Sequence, residues 1–173
     1  MCQAAAVTDS DWEARLAGTW ASADDHSDED LRAAIDALAA ELPAGDPRAA
    51  YERGGSWDST GHSDRAIPLY RDALAAGLPD PYRRQCVIQL ASSLRNTGDL
   101  ADSIALLSAE LADHTDELDD AVRAFLALAL ADAGREREGL SLALAALAPH
   151  LPRYTRSVTN YARLLVEPDS DEP

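Results

Sequence analysis

Three glycines, Gly61, Gly98 and Gly134, punctuate the middle of this chain at intervals of 37 and 36 residues. A period of that size, with helix-forming sequence between the marks, is the signature of an array in which each repeat is one helical hairpin. The residues after each glycine fall into register. Five positions on stand Ala66, Ser103 and Gly139, all small, and four positions further stand Tyr70, Leu107 and Ala143. A small residue lets the second helix of a hairpin press against the first, and the residue one turn later fills the groove behind it. Asp46-Pro47 and Asp80-Pro81 each read as an N-cap followed by proline at the first helical position, where a missing amide N–H costs nothing.

Composition supports helices over sheets. Of 173 residues, 35 are Ala and 24 are Leu, whereas aromatics make up only 5%. Ala and Leu have the best helix propensities, and a β fold would need many more β-branched and aromatic residues. Ahead of the repeats, Trp12, Leu16 and Trp20 recur at helical spacing, which predicts a short helix over 9–20 within an acidic segment, 1–26. Ser27 with Asp30 resembles a capping box, and Leu31, Ala34, Ile35, Leu38 and Leu42 form the stripe of a leading helix over 28–42, ended by Pro43 and Gly45. Repeats are expected over 46–79, 80–114 and 115–150. Pro152 is read as opening a last helix over 152–166, with Tyr154, Val158, Tyr161, Leu164 and Leu165 on the side that covers the open end of the stack. Residues 27–166 thus read as one helical domain, followed by an acidic tail, 167–173, expected to be disordered.

The first repeat carries Gly54, Trp57, Gly61, Ala66, Tyr70, Ala73-Leu74 and Pro79, and in this it resembles the tetratricopeptide repeat. The chain is more closely similar to the bacterial group 5 of that family, through Tyr51-Glu52-Arg53, Trp57-Asp58-Ser59-Thr60-Gly61 and Ile88-Gln89-Leu90-Ala91-Ser92-Ser93-Leu94-Arg95-Asn96-Thr97-Gly98. It departs from the pattern at Glu110, where a small residue is usual, and at Gly139 and Ala143, which stand in place of larger groups. The resemblance implies an all-α, right-handed superhelix of stacked antiparallel hairpins with capping helices at both ends. It also implies that the first helix of each hairpin lines a concave groove for a protein or peptide. Carried onto this chain, that groove holds Tyr51, Glu52 and Asp58 from the first repeat, Gln89, Ser92, Arg95 and Asn96 from the second, and Phe125 and Leu128 from the third. The alternative role for Gln89, Arg95 and Asn96 is to tie neighbouring helices together. Members that clamp a chaperone's C-terminal carboxylate use Lys and Asn one turn apart. The corresponding pairs here, Tyr51/Gly55, Ile88/Ser92 and Ala124/Leu128, do not match.

Charge narrows the partners. Fifteen basic residues, all Arg, face 31 acidic ones, for a net charge of −16. Such a field repels nucleic acid and anionic lipid and favours a basic protein partner. No apolar run is long enough to span a membrane, and the N-terminus lacks the basic flank of a signal peptide, so a soluble cytoplasmic protein is expected. Cys2 and Cys86 form no framework, and Cys86 reads as a small buried hydrophobe. The acidic run around Asp24, Asp25, His26, Asp28 and Asp30 reads as a solvated linker, and His62, His114 and His150 share no ligand spacing, so neither metal nor cofactor is expected. With no phosphate loop and no nucleophile elbow either, the expected function is a non-enzymatic scaffold. The alternative is a structural module in which the apolar third repeat and the Trp12/Trp20 helix form a homodimer surface.

Overall fold

The structure, a computed structural model, describes residues 9–167. Cys2 and residues 168–173 of the tail lie outside it. All regular structure among the described residues is helical: α1 (Asp9–Ala21), α2 (Asp28–Ala39), α3 (Pro47–Ser59), α4 (Ser63–Ala75), α5 (Tyr82–Asn96), α6 (Leu100–Asp113), α7 (Asp119–Asp132), α8 (Glu136–Leu147) and α9 (Thr155–Leu164), with 3-10 turns at Ala23–Asp25 and Ala148–His150. The chain divides into two compact units, Met1–Leu78 and Pro79–Pro173, where sequence suggested one domain over 27–166. The division falls between the first and second repeats.

In the first unit, α1 packs on α2, α2 on α3, and α3 against α4. Trp12, Leu16, Leu31, Ile35 and Leu38 form its core, so the two N-terminal stripes read from sequence meet each other. The Trp12 indole is 2% exposed and donates to the Leu38 carbonyl at 2.9 Å. Ser27 caps α2 by accepting from the Asp30 N–H, and Asp46 caps α3 by accepting from the Arg48 N–H, with Pro47 beginning the helix. The leading helix ends at Ala39, three residues earlier than its apolar stripe.

In the second unit, Ile88, Ala91, Leu107, Val122, Leu126 and Leu130 form the core shared by α5, α6 and α7. Two helix starts differ from the sequence reading. Asp80 does not cap α5. Its carboxylate lies 3.8 Å from Arg83, the Asp80–Pro81 peptide is cis, and the helix begins at Tyr82. Pro152 does not open α9 either. Leu151 is extended, Tyr154 adopts a left-handed conformation at φ 68°, and the helix starts only at Thr155.

The small-residue register is where the hairpins close. Each small residue on a second helix has a counterpart twelve positions earlier on the first: Gly54 for Ala66, Ala91 for Ser103, Ala127 for Gly139. Ala66, Ala91 and Ser103 are fully buried, and the Ser103 hydroxyl donates to the Ala91 carbonyl at 2.7 Å. A Cβ on Gly139 would stand 2.6 Å from the Ala127 carbonyl oxygen, and one on Gly54 would stand 2.7 Å from the Tyr70 ring. Gly139 is therefore a close-contact residue in its own right and not a weakened core position.

Candidate functional site

The candidate groove residues occupy equivalent positions on the first helix of each hairpin. Counted from the close-contact residues Gly54, Ala91 and Ala127, Glu52, Gln89 and Phe125 stand two before. Ser92 and Leu128 stand one after, Asp58 and Arg95 four after, and Asn96 five after. The offsets of two before, one after and five after turn the side chains away from the second helix of the hairpin, whereas four after keeps Asp58 and Arg95 one turn along the same side as the close-contact residue.

In the first unit the face is largely filled. Tyr51 is 6% exposed and packs its ring against Tyr70, with centroids 6.3 Å apart. Glu52 is 5% exposed and accepts from the Trp20 indole of α1 at 2.8 Å, while the Trp20 ring closes over Gly55. Asp58 accepts from the Ser63 hydroxyl at 2.9 Å across the turn into α4. Trp20 was singled out in sequence for its helical spacing, but nothing local showed that it would reach a carboxylate 32 residues away.

Burial pushes the Glu52 carboxyl above its ordinary range, against the smaller opposing effect of the Trp20 hydrogen bond. A carboxyl whose folded-state pKa is raised binds its proton more tightly when folded, so stability falls as pH rises from the ordinary value of about 4.3 through the raised one. Glu52→Gln keeps an acceptor for Trp20 and removes the charge. It is expected to melt higher than the parent at pH 7, with the difference shrinking as the solution is acidified. Equal melting temperatures at pH 7 would show the carboxylate to be well solvated.

In the second unit the face is open. Gln89, Ser92, Arg95 and Phe125 are half-buried, Asn96 is exposed, and Leu128 is 49% exposed. The Arg95 guanidinium donates to Asp132 at 2.9 Å, joining the ends of α5 and α7. Polar groups on α5 thus lie beside apolar ones on α7. Where α5 and α7 begin and α6 ends sits a cluster that sequence reasoning missed. Arg84, 2% exposed, pairs with Asp116, with Asp119 at 2.7 Å and with Glu110 at 3.3 Å, and Arg83 donates to both oxygens of Glu110. The Arg84 guanidinium holds the Asp119 carboxyl below the usual carboxylate range. The signal was Glu110 itself, a carboxylate in a register that calls for a small residue. The cluster pins the loop between α6 and α7 and fixes where α7 presents Phe125 and Leu128.

Burial pushes the Cys86 thiol up to about 12, which makes it an inert packing group. Among the described residues no three His, Cys, Asp or Glu side chains gather to hold a metal ion, and no helix is long and apolar enough to cross a membrane. A family model for the tetratricopeptide repeat matches residues 47–165, more than half of the chain. The chain belongs to the tetratricopeptide repeat family. Comparison with curated proteins and with solved structures finds no significant match. The tetratricopeptide match takes in the three glycine-marked hairpins and α9. It leaves out α1 and α2, which pack on the first repeat as a hairpin of their own. Tetratricopeptide domains serve as a rule in protein–protein interaction, and that general role comes with the family.

Proposed function

We propose that this tetratricopeptide protein is a non-enzymatic adaptor that holds an extended or helical segment of another protein against its first-helix faces. Gln89, Ser92, Arg95 and Asn96 take the segment's polar groups, and Phe125 and Leu128 take an apolar anchor. Tyr51, Glu52 and Asp58 line the corresponding face of the first unit, where the burial of Tyr51 and Glu52 leaves less for a ligand to grip. The observation that carries this reading is the open face of the second unit, polar on α5 and apolar on α7, which suits a segment of mixed chemistry. A net charge of −16 favours a basic partner, with association that weakens as salt rises. The buried, unactivated Cys86 suits the reducing cytoplasm as its place of action.

The test is affinity capture from the source cell's soluble extract, parent beside Arg95→Ala/Asn96→Ala, at low and moderate salt. The parent is expected to retain a protein that the double variant loses. The Arg95–Asp132 pair is partly exposed, so its loss should cost under about 1 kcal/mol of stability. A large fall in melting temperature with unchanged capture would make the two residues helix ties and remove the groove.

A further inference from the structure

The hairpin frame that locates the groove also locates a second surface. In the second repeat, Ile88 stands three before the close-contact Ala91, and Ile104, Leu107 and Leu111 stand one, four and eight after Ser103. These four pack against Val122, Leu126 and Leu130 of α7, so they form the face on which the next hairpin stacks. The same offsets in the third repeat give Ala124 on α7, and Leu140, Ala143 and Leu147 on α8. Leu128 and Ala131 border them, one and four after Ala127. Equal offsets on two antiparallel helices lie on one side of the hairpin, so these six residues make a single apolar face.

Among the described residues of the second unit, none stacks on it. The terminal helix α9 lies beside α8, where Ser141 donates to the Ala162 carbonyl at 2.7 Å and Arg137 to the Leu165 carbonyl at 3.2 Å. Leu128, Leu140 and Leu147 are each left 49% exposed. Among the described residues every large exposed hydrophobic lies between Leu128 and Val166. Among the described residues the first unit exposes no large hydrophobic: Trp12 is in its core and Trp20 is held on Glu52.

We infer that this face is a self-association surface, on which the α7–α8 hairpin of a second copy of the chain stacks about a two-fold axis. Three observations favour a second copy over another occupant. The covered face of the second repeat shows that this register fits a helical hairpin of this chain's own kind. The six residues alternate large with small, so leucines of one copy can seat on alanines of the other, the self-complementarity that a two-fold interface requires. The charge pattern is permissive as well. From Gly139 to Val166 there is no Asp or Glu, in a chain of net charge −16, so the stretch of α8 that carries Leu140, Ala143 and Leu147, beyond Glu136 and Glu138 in its first turn, sets no carboxylate between two copies. Two helices about 20 Å long and about 10 Å wide give a face on the order of 400 Å² per copy. That is the range of a weak, concentration-dependent dimer.

Sedimentation equilibrium of the full chain, from low to high micromolar, reads the result. The mass is expected to climb from 18.5 kDa toward twice that value, and the climb should steepen with added salt as screening relieves repulsion between the acidic bodies. Leu140→Glu/Leu147→Glu changes only exposed positions. It should hold the single-chain mass at every concentration while keeping the parent's helical circular dichroism and melting curve. Arg95→Ala/Asn96→Ala should dimerise like the parent, which separates this face from the polar side of the groove; Leu128 is the residue that the two surfaces share. A parent that stays at the single-chain mass throughout overturns the inference and leaves the face to a different partner. So does a folded Leu140→Glu/Leu147→Glu variant that still dimerises.

Discussion

Gly139→Ala is expected to destabilise the second unit by about 2 kcal/mol, although alanine is the better helix former. The added methyl would meet the Ala127 carbonyl oxygen at 2.6 Å, and backbone within a packed hairpin cannot swing aside as a side chain can. Relief requires α7 and α8 to move apart, which loosens Val122, Leu126 and Leu130 at the core. Gly139→Val should cost about twice as much. Gly18→Ala is the matched control: it sits in α1 with nothing within 4 Å of the new methyl, and should stabilise by about 1 kcal/mol. Chemical denaturation of the three variants reads the signs directly. A stabilised Gly139→Ala would mean that the two helices are free to separate.

The second large effect lies at Arg84. Arg84→Ala removes a 2% exposed guanidinium and strands Glu110, itself 5% exposed, with Arg83 as its remaining cation. Breaking a buried pair from one side costs about 3–5 kcal/mol, because the partner's charge stays desolvated. That corresponds to a fall on the order of 10 °C in the melting temperature. Arg84→Lys keeps the charge but cannot reach Glu110, Asp116 and Asp119 together, so it should fall between parent and alanine. Arg95→Ala, at the open edge, should barely move the curve. If Arg84→Ala matched Arg95→Ala, the loop between α6 and α7 would be held by something other than this cluster.

What was legible in sequence was local. Glycine turns, close-contact residues and the caps at Ser27 and Asp46 act within a few positions, so the hairpins and their register could be read from spacing. The Arg84 cluster depends on residues about 30 positions apart meeting across a loop, and spacing carries no record of that. Tyr51 looked like a groove residue, yet its ring packs inward on Tyr70, whose own ring fills the space that Gly54 leaves open. The start of α9 was misplaced for a different reason. A left-handed residue is normally announced by glycine or asparagine, and here it is Tyr154. The candidate groove was legible only as a set of positions. Which of them are open depends on what stacks on each helix, such as Trp20 over Glu52.

The uncovered face of the third hairpin also bears on how such a chain can change over generations. The third hairpin presents Val122, Leu126 and Leu130 on the side that stacks and Leu140, Ala143 and Leu147 on the side that would be stacked upon. A duplication of residues 115–150 in frame would therefore supply a layer that already fits its template, with α9 moving on to flank the new last helix. No new surface would have to arise. Copy number at this end is then a quantity that genetic accident can raise or lower by one hairpin at a time, and related chains should differ in length there before they differ anywhere else.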